Sequence, residues 1–292
     1  MRVVRLRATG GPEQLALEEA DRPRPLSGEA LVCVYAAAIT RGELEWPVDR
    51  LPAIPSYELS GVVEEVGPGV ADVAAGDEVF ALTPFDRDGV AADYTALPAE
   101  LLVPMPRALS HAESAAIPLP ALAAWQGLFD HGGLGADERV LILGAAGGVG
   151  GFAVQLARGA GAHVIGAASA ATLGLVRELG AHEAVDAATR FEDAVEPVDV
   201  VFDTAGGELL RRSLAVLRTG GRLVSVAEEP PEGGVYFIVE PNRDQLRSLA
   251  RLADVGELRP APVEVFPLTS AREAFARSLE PGRRGKVVLA VV

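Results

Sequence analysis

The stretch that most constrains this 292-residue chain lies in its middle: "LILGAAGGVGG", residues 141–151. Five of these eleven residues are glycine, and the apolar run Val140–Leu143 leads straight into them. An apolar run ending at glycine reads as a buried strand that turns sharply. Gly144 permits that turn. Gly147 and Gly148 carry no side chain, so an anion can approach the backbone, and Gly150 lets the following helix pack close to the strand. The first N–H groups of that helix lack intrahelical acceptors and face the anion. Gly144, Ala146, Gly147, Gly148, Val149 and Gly150 are therefore the expected pyrophosphate cradle of a dinucleotide. The spacing is Gly-x-x-Gly-x-x-Gly. A second frame, Gly148-x-Gly150-x-x-Ala153, starts too far from the strand end to make the turn.

A lone glycine motif is weak evidence, and its flanks make this one specific. From Arg139 onward "RVLILG", "HVIGAAS", "VDVVFDTAGG", "RLVSVA" and "VYFIV" read as strands. Between them "VGGFAVQLARGAG", "ATLGLVRELG" and "ELLRRSLAVLRTGG" read as helices, and "NRDQLRSLARLADVGELRP" as a further helix after them. Apolar strands alternating with amphipathic helices predict a parallel sheet covered on both faces. The first hundred residues differ, with short valine-containing runs split by Gly and Pro, the texture of a twisted β domain. The final thirty residues return to strand, helix and strand. The expected class is α/β, a β-rich part followed by a dinucleotide-binding part.

Composition narrows the function. A net charge of −15 and a pI near 4.8 argue against nucleic acid or anionic lipid as partner. One cysteine, Cys33, allows no internal disulfide and fits a reducing compartment. "MRVVRLRATGGPE" lacks a long apolar segment, and no run is long enough to span a bilayer, so the expectation is a cytoplasmic protein. The only lysine is Lys286; Val287 follows it where a phosphate loop needs Ser or Thr, and its expected place is beside the terminal strand "KVVLAVV".

The residue after the second strand of a dinucleotide fold selects the cofactor. An acid there accepts from the ribose hydroxyls of NAD and repels a 2′-phosphate. Here the sequence offers "GAASAAT", with no acid, and Ser169 as a candidate donor to phosphate. That pattern favours NADP.

Taken together, "VRLRATGGPEQLALEEADRPRPLSGEALVCVYAAAI", "SYELSGVVEEVGPGVADVAAGDEVFAL", the 115–169 stretch around the glycine loop, "VFDTAGG", "GGRLVSVA" and "GKVVLAVV" resemble the zinc-independent quinone oxidoreductase branch of the medium-chain dehydrogenase/reductase superfamily. The resemblance covers nearly the whole chain. It implies a GroES-like catalytic domain built from both chain ends, 1–117 and 258–292, a Rossmann domain inserted between them at 118–257, NADPH as cofactor, and reduction of quinones, enones or related activated double bonds. It also implies a homodimer, since relatives often pair through the edge of the Rossmann sheet. By the same resemblance Thr204, Ala205 and Val226 pass beside the cofactor, and Phe237 and Ile238 flank the nicotinamide.

The departures bear on chemistry. Zinc-dependent relatives have cysteine at the position of Thr40 and histidine at that of Tyr57, and no four-cysteine cluster is present for a structural zinc. No metal is expected. Within the zinc-free branch, asparagine and aspartate are usual where Thr40 and Glu43 stand, so the substrate pocket cannot be copied from one relative. Hydride transfer to an enone needs a donor to the carbonyl and a route for a proton, and hydroxyls can serve. Thr40 and Tyr57 are the candidate donors and Glu43 a candidate for proton relay, although Glu43 also reads as a first-turn acid of "GELEW". Trp46 is a candidate pocket wall; Tyr94 and His131 are weaker candidates. Three functions follow: an NADPH-dependent reductase of an activated C=C bond or quinone, acting on a small-molecule substrate; a dedicated enoyl reductase of a polyketide-like pathway; and a non-catalytic NADPH-binding sensor or structural protein.

Overall fold

The computed structural model describes residues 1–47, 50–231 and 233–292. The chain opens with strands β1 (Arg2–Leu6), β2 (Leu15–Glu19), β3 (Glu29–Ile39), β4 (Glu58–Val66), β5 (Glu78–Leu82), β6 (Tyr94–Pro98) and β7 (Val103–Pro104), then helices α1 (His111–Ala115) and α2 (Pro118–Trp125). The middle alternates: β8 (Arg139–Leu143), α3 (Gly148–Gly159), β9 (His163–Ala168), α4 (Leu173–Glu178), β10 (Glu183–Asp186), β11 (Val198–Asp203), α5 (Gly207–Ser213), β12 (Leu217–Ser225) and β13 (Val235–Tyr236). Helix α6 (Arg243–Asp254), strand β14 (Val263–Pro267), helix α7 (Ala271–Leu279) and strand β15 (Lys286–Ala290) complete it. Among the described residues no helix is long and apolar enough to cross a membrane.

Two compact units result. One comprises Met1–Leu119, Pro241–Gly256 and Pro260–Val292, the other Pro120–Glu240 with Glu257–Arg259. In the first, the sheet order is β14-β15-β3-β4-β5-β7, with β6 also paired to β3. The eleven-residue β3 is the spine. One edge of it carries β6 at its start (Cys33↔Tyr94) and β15 at its end (Ile39↔Val287), while β4 runs antiparallel along the other edge. The last strand of the chain is thus bonded to a strand from its first forty residues. Phe80, Leu59 and Phe275 are almost wholly removed from solvent, each stabilising the fold by about 1.5–3 kcal/mol. The register has a consequence for chemistry. Ala38 lies opposite Glu58 and Ile39 opposite Val287, so Thr40, Glu58 and Lys286 meet at one corner of the sheet.

In the second unit six parallel strands run in the order β10-β9-β8-β11-β12-β13. The order reverses between β8 and β11, and ligands of such sheets bind outside the strand ends at that reversal. Val140, Leu141, Ile142 and Leu143 are fully buried, which explains why β8 reads as a continuous apolar run.

Three boundaries differ from the sequence reading. The helix in "ELLRRSLAVLRTGG" stops at Ser213, and Leu217 already begins β12. "VYFIV" is strand only over Val235–Tyr236. Beyond it the Gln126 side chain takes both backbone groups of Glu240, donating to its O at 2.8 Å and accepting from its N at 3.1 Å, so the main chain needs no strand partner there. Helix α6, placed by sequence with the dinucleotide-binding domain, clusters with the β-rich unit. Arg243 ties it there by donating to Leu102 O and pairing with Asp72, and Asp254 accepts from Ala108 N.

Candidate functional site

The glycine loop follows β8. Gly144 has φ +75°, and a Cβ on it would come 2.6 Å from Thr204 Oγ1. A Cβ on Gly150 would come 2.2 Å from Gly144 O. These two glycines are demanded by the fold itself. Gly147 and Gly148 are exposed, and a Cβ on Gly148 would meet nothing nearer than Pro120 at 4.0 Å. Sterics of the protein alone do not require glycine at 148, whereas a ligand lying against that backbone does. Gly147 caps the twelve-residue α3 without a side-chain cap. Among the described residues the N–H groups of Gly148, Val149 and Gly150 have no backbone acceptor. Ala146 and Val149 are half-buried beside them. The loop offers free donors, positive helix-end potential and no obstructing side chain, which fits a pyrophosphate.

The other residues expected at the cofactor sit along the same edge of this sheet. Gly144 N and Ala145 N donate to Ala167 O near the end of β9. Thr204 donates its hydroxyl to Leu143 O at 2.7 Å, linking the ends of β8 and β11. Ala205 is exposed, Val226 N donates to Asp203 O, and Phe237 N donates to Ser225 O. Phe237 packs against the His131 ring at 4.4 Å, while Ile238 is 65% exposed. Ser169, after β9, lies on the surface and shares its hydroxyl with Thr172 Oγ1 at 3.0 Å. Because Thr172 also donates to Ser169 O, the hydrogen between the two hydroxyls comes from Ser169. Sequence reasoning passed over Asp203. Wholly buried, it accepts from Ala205 N, Gly206 N and Ser225 Oγ and so builds the "DTAGG" turn. A carboxylate three residues before a glycine pair was the available signal.

In the β-rich unit the structure brings Thr40, Glu43 and the segment before Tyr57 together. Glu43 is 4% exposed, in a short turn Glu43–Glu45. It is therefore a first-turn acid turned inward. Its carboxyl accepts from Thr40 N at 3.2 Å and Ser56 N at 3.1 Å. Burial pushes its pKa up to about 8, against the lowering effects of the two backbone hydrogen bonds and of Lys286. Ser56 adopts φ +65°, a strained conformation for a side-chain-bearing residue, directly before Tyr57. Tyr57 is buried against Trp46 (6.0 Å, stacked) and Phe85 (5.1 Å, edge-on). Among the described residues its hydroxyl has no hydrogen-bond partner, and it is not one of the wholly buried unpartnered atoms, so that oxygen reaches solvent. Burial, then the nearby Glu43, raise its pKa above the phenol value, so the phenol keeps its proton. Tyr94 lies elsewhere, beneath the Arg22 guanidinium at 4.2 Å.

Thr40 has two partners that the sequence did not disclose. Lys286 Nζ donates to Thr40 Oγ1 at 3.1 Å and lies 2.5 Å from Glu58 Oε1. Thr40 in turn donates to Glu58 Oε1 at 3.2 Å, and Leu119 N donates to Glu58 Oε2 at 2.9 Å. Glu58 has no exposed surface. An ammonium so placed neutralises Glu58, and the neighbouring Glu43 carboxyl, its pKa raised to about 8, is occupied by the backbone N–H groups of Thr40 and Ser56. This donor set does not fit zinc, which takes thiolate, imidazole and carboxylate. Among the described residues no group of three or more His, Cys, Asp or Glu is placed to hold a metal.

Residues 26–107 match the family model "Alcohol dehydrogenase GroES-like domain" and residues 179–289 the model "Zinc-binding dehydrogenase". The chain is 33% identical to an NADPH-dependent alkenal/one oxidoreductase, chloroplastic, of Arabidopsis thaliana, over 96% of this chain and 77% of that one. It is 39% identical to the spectinabilin polyketide synthase system protein NorB of Streptomyces orinoci, over 80% of this chain and 12% of that one. The solved quinone oxidoreductase from Coxiella burnetii superposes with a TM-score of 0.91 at 27% identity, covering 100% of this chain and 99% of that one. The chain belongs to the quinone oxidoreductase-like branch of the medium-chain dehydrogenase/reductase superfamily. It is an oxidoreductase of that type.

Proposed function

We propose that this protein is an NADPH-dependent reductase of activated C=C bonds or quinones that works without zinc. The observation that carries the reading is the Thr40–Glu58–Lys286 corner, where hydroxyl donors and an ammonium stand in place of metal-binding side chains. Alcohol oxidation in zinc-dependent relatives leans on a Lewis acid, whereas an enone already polarised by its carbonyl needs hydrogen-bond donors. Gly144, Ala146, Gly147, Gly148, Val149 and Gly150 would hold the pyrophosphate. Ser169 would face the 2′-phosphate, and Thr204, Ala205, Val226, Phe237 and Ile238 would line the nicotinamide side. NADPH, when bound, supplies a hydride to the electron-poor carbon. Tyr57 donates to the substrate oxygen as negative charge gathers there, with Thr40 as a second donor. Glu43 holds the backbone N–H of Thr40 and of Ser56, the residue before Tyr57, and keeps a proton at neutral pH.

A dedicated enoyl reductase of a biosynthetic pathway shares this chemistry, and the likeness to a polyketide synthase protein supports it as a second reading. We further propose a cytoplasmic homodimer, paired through the sheet edge at β13, where Val235 and Tyr236 are 41% and 43% exposed.

The direct test is oxidation of NADPH by the purified protein with crotonaldehyde and benzoquinone, with product analysis. Formation of the saturated aldehyde or the hydroquinone, unchanged by chelators, is the expected result. Reduction of the carbonyl, or a stoichiometric zinc by elemental analysis, would contradict the reading. A preference for long enoyl thioesters over both small substrates would favour the pathway-specific one.

A further inference from the structure

Lys286 is the only lysine in the chain, and it is spent at this corner rather than on the surface. Its side chain is 14% exposed. An ammonium only donates, so Thr40 Oγ1 must accept from it, and the hydrogen of Thr40 is left for Glu58. Two features follow. The Thr40 hydroxyl is polarised by the charge behind it and is a stronger proton donor than an isolated threonine. It can also swing its hydrogen away from Glu58 without stranding that carboxylate, which keeps the ammonium on Oε1 and Leu119 N on Oε2. A hydroxyl fed by an ammonium, with a rotatable hydrogen, is the arrangement of a short proton wire. An ion pair serving the fold alone has no need of the hydroxyl.

We propose that Lys286 supplies, through the hydroxyl of Thr40, the proton that completes reduction of the substrate; the proposal rests on the reductase reading above. Hydride arrives at the β-carbon, the C=C pair shifts toward the carbonyl carbon, and the carbonyl pair moves onto oxygen. The enolate oxygen takes the Thr40 proton, Thr40 Oγ1 takes one from the Lys286 ammonium, and the neutral amine regains a proton from water. The enol then tautomerises to the saturated carbonyl compound. Among the described residues Glu58 and Glu43 are the other titratable groups at this corner. Glu58 holds the ammonium and Glu43 the Thr40 backbone. Lys286 touches no substrate in this scheme and is a positioning residue and proton source acting through Thr40.

Arginine separates the relay from a merely structural charge. Lys286→Arg can keep the ion pair with Glu58 but does not release a proton. The expected result is an unchanged melting temperature and NADPH affinity, with crotonaldehyde turnover lowered about 100-fold, the lower end for a positioned proton donor. Thr40→Val should lower it similarly and Thr40→Ser should restore it. The Thr40→Val/Lys286→Arg double variant should lose no more than either single one, because the two act as a unit. A single lysine also permits a readout independent of turnover. Protein labelled with ¹⁵N-lysine has one side-chain ammonium resonance, which should shift in Thr40→Val and persist in the folded parent. Full activity of Lys286→Arg, or losses that multiply in the double variant, would overturn the relay and leave the reductase reading intact. An ammonium signal indifferent to Thr40→Val would do the same. A parent protein that reduces neither crotonaldehyde nor benzoquinone would remove the reductase reading, and the relay with it.

Discussion

Tyr57 is buried among aromatic rings, yet its hydroxyl has no hydrogen-bond partner among the described residues. That oxygen is not wholly buried, so removing it strands no buried polar group. Tyr57→Phe should therefore leave the melting temperature and NADPH affinity nearly unchanged. If the hydroxyl meets the developing oxyanion, single-turnover hydride transfer to crotonaldehyde should slow by about 30- to 1000-fold, or ~2–4 kcal/mol. An unchanged rate with a lowered melting temperature would return Tyr57 to the core. Glu43 makes a second prediction. Its carboxyl loses a proton near pH 8 when folded but near its ordinary 4.5 when unfolded. The stabilisation from the protonated form is complete below the unfolded value and is lost as pH rises through about 8. Between the two, stability should fall by up to about 1.4 kcal/mol per pH unit. Calorimetry of Glu43→Gln should show a flatter decline than the parent over that window; parallel curves would refute the shift.

At the scale of elements, the strand–loop–helix β8–α3 was legible because every signal lies within twenty residues: apolar run, turn glycine, bare glycines, helix. Gly148→Ala tests whether the bareness serves a ligand. The added methyl meets open space and suits a helix, so the melting temperature should hold or rise. NADPH affinity measured by fluorescence titration should fall about tenfold or more, equivalent to ~1.4 kcal/mol. Unaltered affinity would mean that no anion lies against Gly148. Ser169→Asp at the end of β9 should invert a preference for NADPH over NADH, since the carboxylate repels a 2′-phosphate and accepts from a ribose. Equal affinities in the parent would discard Ser169 as the selector. The Thr40–Glu58–Lys286 corner was not legible, for a physical reason. Thr40 and Lys286 are 246 residues apart and meet only because β15 pairs with the end of β3. Sequence patterning reports which face a strand buries and is silent about which distant strand lies beside it. The same blindness put α6 with the wrong neighbours, since its amphipathic stripe fits any apolar surface.

At the scale of the whole molecule, the change in texture near Arg139 announced the alternation of strand and helix that begins with β8, whereas the joining of the two chain ends was an expectation of the family resemblance alone. The proposed dimer belongs here. β13 is an edge strand bearing exposed Val235 and Tyr236, and an apolar edge left bare invites pairing or aggregation. Light scattering should report twice the 30.3 kDa chain mass for the parent. Tyr236→Glu should shift it toward the monomer; a monomeric parent would end the proposal.

The chain's two tryptophans are shared out, Trp46 in the β-rich unit and Trp125 in the dinucleotide-binding one. Trp46 stacks on Tyr57, and Trp125 lies edge-on to Phe129, one turn along a helix. Each half of the molecule thus carries its own intrinsic fluorophore. A Trp125→Phe protein would glow from the β-rich unit alone, and a Trp46→Phe protein from the dinucleotide-binding unit alone. The order in which two ligands arrive can be followed in such a pair by colour and intensity, with no dye attached.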